Sequence, residues 1–157
     1  MPLVRPTARP LAPALALAAA LATAACGDDD GGPGEQLTGR YRLVTVENRS
    51  VPYPTSFGIG NTYYIVEGSL VFSGNQVTDA RRYELRTGTG TVAQTDADTL
   101  RYTYELRGDE VLLRRTVGGV AQVDTAARAE DLLGVEQRFN SLGGAPVPGF
   151  ATYVRVP

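Results

Sequence analysis

From Leu37 to the C-terminus, apolar and polar positions alternate with a period of two, the pattern of strands that bury one face. Tyr41 and Leu43 alternate with Arg40, Arg42 and Val44, opening a first strand before the turn Glu47-Asn48-Arg49-Ser50. Val51-Pro52-Tyr53-Pro54 is extended or irregular, because two prolines exclude a central strand, and Thr55 to Gly60 continues the loop. Thr62 to Val66, rich in Tyr and β-branched residues, predicts a second strand, and Gly68 to Phe72 follows it. After Ser73-Gly74-Asn75 a long strand spans Gln76 to Arg86, and Gly88-Thr89-Gly90 and Gln94 to Asp98 punctuate what comes next. The clearest strand is Thr99 to Arg107, with Leu100, Tyr102, Tyr104 and Leu106 on one face and Arg101, Thr103, Glu105 and Arg107 on the other. Gly108-Asp109 is a hairpin turn into Glu110 to Val117, and Gly118-Gly119 turns into Val120 to Thr125. Residues 125–133 break the pattern. Good helix formers there, with Thr125 as N-cap and Gly134 as stop, predict one short helix, the alternative being another strand and a bulged loop. Val135 to Phe139 and Phe150 to Val156 complete the chain around a Gly- and Pro-rich loop.

About eight short strands joined by hairpin-length turns make an all-β antiparallel meander. A flat sheet with one apolar face exposes that face and two edges, whereas closure removes both problems. The expectation is an up-and-down barrel or half-barrel occupying residues 37–157 as a single domain.

The first 36 residues follow other rules. Arg5 and Arg9 precede an apolar run from Leu11 to Ala22, too short to span a bilayer, and small residues follow; residues 1–25 therefore predict an export signal. Leu21-Ala22-Thr23-Ala24-Ala25-Cys26 resembles the lipobox of bacterial lipoproteins, with Ala24 and Ala25 before the cysteine and the leucine placed at Leu21. The resemblance implies that Cys26 carries a diacylglyceryl group and becomes the mature N-terminus. It also implies attachment to the cell envelope, at the outer membrane facing the periplasm. Ala22-Thr23-Ala24 also satisfies the small-x-small rule of ordinary secretion, which would leave Cys26 as a lone thiol. Residues 26–36, Gly-rich and acidic, form a tether; Asp28, Asp29 and Asp30 are consecutive and fan apart, which suits a solvated spacer rather than a calcium loop.

Gly39-Arg40-Tyr41 resembles the Gly-x-Trp opening of lipocalin-like barrels, with Tyr in place of Trp. The run Gly39-x-Tyr41-x-Leu43 leading to Val51-Pro52 is similar to the opening of small exported lipoproteins described as lipocalin-like. That resemblance implies a barrel that binds a small hydrophobic molecule. Tyr41, Tyr63, Tyr102 and Tyr104 are the candidate ligand-binding residues, since a ring gives an apolar wall and a hydroxyl orients a ligand. Their alternative role is ordinary packing within strands. The second functional alternative is an interaction or structural lipoprotein with a filled core, working through its surface loops.

Composition narrows the chemistry. All 15 basic residues are Arg, and there is no His, Lys or Trp. Cleavage before Cys26 would remove Arg5 and Arg9, leaving 13 arginines against 17 acids, a net charge near −4. Lysine Schiff bases and histidine general bases are excluded, and no basic block invites nucleic acid. No serine sits in a nucleophile elbow, and no spacing singles out a carboxylate pair. The expectation is a non-enzyme without cofactor or metal. Arg81, Arg82, Arg101, Arg107, Arg114 and Arg115 fall mainly on predicted outer faces beside Glu84, Glu105 and Glu110, as a mixed-charge solvated surface.

Overall fold

A computed structural model describes residues 36–157; the predicted export segment, Cys26 and the predicted tether up to Glu35 lie outside the described residues. Ten strands run in chain order: β1 (Gly39–Val46), β2 (Arg49–Ser50), β3 (Tyr53–Gly58), β4 (Asn61–Ser73), β5 (Gln76–Thr87), β6 (Val92–Arg107), β7 (Glu110–Val117), β8 (Val120–Ala129), β9 (Leu132–Phe139) and β10 (Val147–Val156). Neighbours from β4 to β10 pair antiparallel in sequence order, β10 returns to β1, and β1 pairs with β4. Eight strands thus close an antiparallel meander into a barrel, as the alternation predicts. The short β2 and β3 sit outside that ring, β2 on the end of β1 and β3 on the first half of β4. We call the end where β1 begins the lower end.

Two strands change their inward phase part way. In β4 the buried large apolar side chains are Tyr63 and Ile65, then Leu70 and Phe72, odd numbers followed by even. A bulge between Ile65 and Glu67 supplies the extra residue, so both apolar pairs face inward on one continuous strand. β1 does the same between Leu43 and Thr45, which lets Val46 follow Tyr41 and Leu43 into the core. A strict period of two divides β4 into separate pieces; the bulge joins them. Pro54 sits in β3, an edge strand, where a missing N–H costs no ladder bond in the barrel wall.

The predicted helix over residues 125–133 is absent. Those residues form the end of β8, a turn at Glu130 and Asp131 with Glu130 in the left-handed region, and the start of β9. β7 pairs with β8 from Val117 opposite Val120 to Glu110 opposite Ala127, and β9 pairs with residues 126–129 on the other side. Pairing on both sides overrides the local preference of an Ala-rich segment. Gly134 is no helix stop: a Cβ there would lie 2.5 Å from Cζ of Phe150, whose ring covers the position. Likewise Gln94 to Asp98 belongs to β6, which pairs with β5 as far as Arg86 opposite Val92.

The lower half of the interior is apolar. Leu37, Tyr41, Leu70, Phe72, Val77, Val111 and Leu113 are buried there, joined by the partly buried Tyr104 and Leu106. Phe72 stands edge-on to both Tyr41 and Tyr104, at centroid distances of 5.4 and 5.2 Å. Leu37 plugs the lower opening, its carbonyl accepting a hydrogen bond from the Tyr104 hydroxyl at 3.1 Å.

Candidate functional site: a buried polar network beside a lateral cleft

β5 reads Val77, Asp79, Arg81, Tyr83 at its inward positions, so its pleat points an acid and a base into the barrel between apolar neighbours. Arg81, expected on a solvated outer face beside acidic neighbours, is instead buried, with its side chain 1% exposed. Its Nε donates to both oxygens of Asp79 at 3.1 and 3.0 Å, and Nη2 makes a further ion pair with the same carboxylate. Nη2 also donates to Gln137 Oε1 at 2.8 Å, and Nη1 donates to the backbone carbonyl of Arg138. Gln137 in turn donates from Nε2 to the Tyr153 hydroxyl at 2.8 Å. Arg81 also lies over the ring of Phe139 at 5.3 Å.

Burial pushes the Asp79 carboxyl above its ordinary value, and Arg81 offsets that only in part. Burial works against the charge on Arg81 as well, but Asp79 overrides it and holds the guanidinium protonated. Tyr83, Tyr102 and Tyr153 are raised first by burial, with Arg81 pulling each partly back. The network is a structural clamp as well as a charge centre. Through Arg81 and Tyr83, whose hydroxyl accepts the N–H of Asn140 at 3.3 Å, β5 supplies partners to the backbone at the upper end of β9.

That attraction of β9 toward β5 has a counterpart. The β8–β9 ladder stops at Ala126 opposite Val135, and the β6–β7 ladder stops at Thr103 opposite Arg114. Above those rungs the β7–β8 ribbon stands apart from both neighbours. Between β8 and β9 a cleft of about 450 Å³ opens, lined on one side by Val123, Asp124 and Thr125 and on the other by Glu136, Gln137 and Arg138. Glu47 and Phe150 close its outer edge; the Glu47 carboxylate accepts the N–H of Phe150 at 2.6 Å. Three acids against one arginine make this cleft anionic. Gln137 belongs to both cleft and network, so the cleft reaches the buried charge through one side chain. On the other side of the ribbon, Arg115 of β7 lies over the Tyr102 ring of β6 at 5.5 Å with its Nε buried and unpartnered.

The four candidate tyrosines take separate places. Tyr41 and Tyr104 belong to the lower cluster about Phe72. Tyr63 stacks on Tyr83 at 5.3 Å in the upper half, and its hydroxyl donates to Asp96 at 2.9 Å; burial and that carboxylate raise its pKa. Tyr102 lies beneath Arg115. Tyr41 also lines a second, lower concavity of about 300 Å³ with Gln36, Asp109, Arg128, Glu130 and Arg155. Tyr41, Tyr63 and Tyr102 are all less than a tenth exposed. Sequence reasoning missed Asp79 and Gln137, and it turned Arg81 outward. One signal was available: in β5, Asp79 and Arg81 share parity with Val77 and Tyr83. Among the described residues no set of three or more acids, histidines or cysteines converges to hold a metal ion.

No family model, no curated protein and no solved structure matches this chain.

Proposed function

We propose that the chain is an envelope lipoprotein, held at a membrane through Cys26, whose barrel is a binding module that works at its surface and carries no chemistry of its own. The observation behind this reading is the filled interior. The rings of Tyr41, Phe72 and Tyr104 occupy the lower half, and the Asp79–Arg81–Gln137–Tyr153 network and the Tyr63–Tyr83 stack occupy the upper half. A carrier of a small hydrophobic molecule needs an apolar cavity of a few hundred Å³, and these side chains stand where it would be. The anionic cleft beside β8 is the binding site of this reading, suited to a cationic group. The lack of His and Lys in the whole chain supports a binding role over catalysis.

Native mass spectrometry of the full chain, isolated gently from cells, tests the interior. The expected result for the Phe57→Asp variant, whose rim is charged, is a mass free of bound lipid; a reproducible lipid adduct on that variant would restore the carrier reading. For the tether, the intact mass of the isolated chain should show Cys26 acylated and Cys26→Ala should lose that added mass; a bare Cys26 in the unsubstituted chain removes the acyl anchor.

A further inference from the structure

The two ends of the barrel differ in charge. Four connections at the upper end, residues 55–62, 87–95, 116–123 and 140–149, contain no Asp, Glu, Lys or Arg. In the whole chain one residue in five is charged, and the lower turns carry Arg107, Asp109, Glu110, Glu130 and Asp131. Only the fifth upper connection, with Glu47 and Arg49, is charged.

The uncharged turns are also apolar at their tips. Ile59 is fully exposed and Phe57 is 78% exposed, on either side of Gly58 in the β3–β4 turn. Val92, Val117, Val120 and Leu142 are each more than 40% exposed on the other three turns. Gly60, at φ 74°, lets the chain reverse directly behind Ile59, and a Cβ there would meet nothing within 4 Å, so this turn projects freely. Three of the turns form one surface: Gly88 N–H donates to the Gly60 carbonyl at 2.7 Å, and Leu142 N–H donates to Ser56 Oγ at 2.8 Å.

We infer that this upper rim docks on a lipid bilayer, inserting Phe57, Ile59 and Leu142 below the headgroups as a contact separate from the acyl chain on Cys26. A protein interface is depleted of charge only at its core and keeps a polar rim around it. A bilayer selects against charge in every turn that enters it, whatever the shape. The rim has that second property: charge is absent from each of four turns. The chain's own dimensions permit it. Residues 26–36 can extend over roughly 35 Å at ~3.3 Å per residue, while β4, with 13 residues tilted as barrel strands are, spans roughly 30 Å. A chain anchored at Cys26 and entering at the lower end can therefore still lay its upper rim on the same membrane.

The chain contains no Trp, so one introduced Trp reports its own surroundings. Ile59→Trp and, at the opposite end, Glu110→Trp would be prepared in the full acylated chain and in the Cys26→Ala background. Each is mixed with phosphatidylcholine vesicles carrying brominated acyl chains. The expected result is blue-shifted emission from Ile59→Trp, quenched at least twofold in both backgrounds, with Glu110→Trp unquenched. Adding Phe57→Asp to the Cys26→Ala background should lower vesicle partitioning roughly tenfold or more, with the barrel's far-ultraviolet circular dichroism unchanged. Water-like, unquenched emission from Ile59→Trp overturns the inference, as does quenching that is equal at both ends. Emission that shifts only when envelope proteins are added also overturns it and assigns the rim to a protein partner. Acylation of Cys26 is read independently by mass, so failure of the anchor and failure of the rim contact give different results.

Discussion

The lower and upper halves of one barrel interior are built by opposite means. Below, Leu37, Tyr41, Phe72 and Tyr104 interlock as rings and an aliphatic plug, and closure between β1 and β4 is complete from Gly39 to Arg42. Above, a single arginine gathers an acid, an amide and a backbone carbonyl, and the wall separates on both sides of the β7–β8 ribbon. Apolar packing is non-directional and rewards closure all round. A hydrogen-bonded charge is directional, and its demands pull β9 toward β5. The half held by polar contacts is therefore the half that opens.

The largest effect should come from breaking that centre. Arg81→Leu leaves Asp79 buried without its partner and should cost about 3–5 kcal/mol in chemical denaturation. The double variant Asp79→Leu/Arg81→Met should recover most of the loss, because no orphaned charge remains. A double variant as unstable as the single one would mean that the contacts of Arg81 to Gln137 and β9, rather than charge pairing, hold the upper half.

Alkaline titration separates the halves less drastically. Tyr63, Tyr83, Tyr102, Tyr104 and Tyr153 are all raised by burial above the ordinary value near 10. A raised folded pKa favours the protonated form, so their contribution is complete below pH ~10 and falls away as pH rises beyond it. Tyrosinate absorbance should therefore show these five ionising together with unfolding, in one steep step. Separate, gradual ionisation of Tyr63, Tyr83 and Tyr153, with the fold intact, would reveal an upper half open to solvent. The smallest effect belongs to the lower half: Tyr104→Phe removes the bond to the Leu37 carbonyl and should cost about 1 kcal/mol, measured as a shift in denaturation midpoint.

The fold was largely legible because alternation reports which face of a strand is buried. Thr99 to Arg107 shows this most directly: its four predicted inward residues all lie inward. Bulges and context were not legible. The phase change at Val66 made one strand look like two, and the Ala-rich run at 125–133 carries helix formers that β7 and β9 hold extended. The site was the hardest part. Arg81 and Asp79 lie two apart, the spacing of a surface ion pair as well as a core one. Only their shared parity with Val77 and Tyr83, read across polar residues that ordinarily face water, would have turned them inward.

The Leu37 plug has a mechanical consequence. A force applied through the residues preceding Gln36 reaches the barrel at Leu37, held by burial and by Tyr104, and then at β1. That strand is clamped on both sides, to β10 from Arg40 to Val46 and to β4 from Gly39 to Arg42. Tension along the strand axis loads these rungs in parallel, in shear, so none can be peeled first. Leu37, buried and bonded through its carbonyl to Tyr104, meets that load ahead of the first rung of β1.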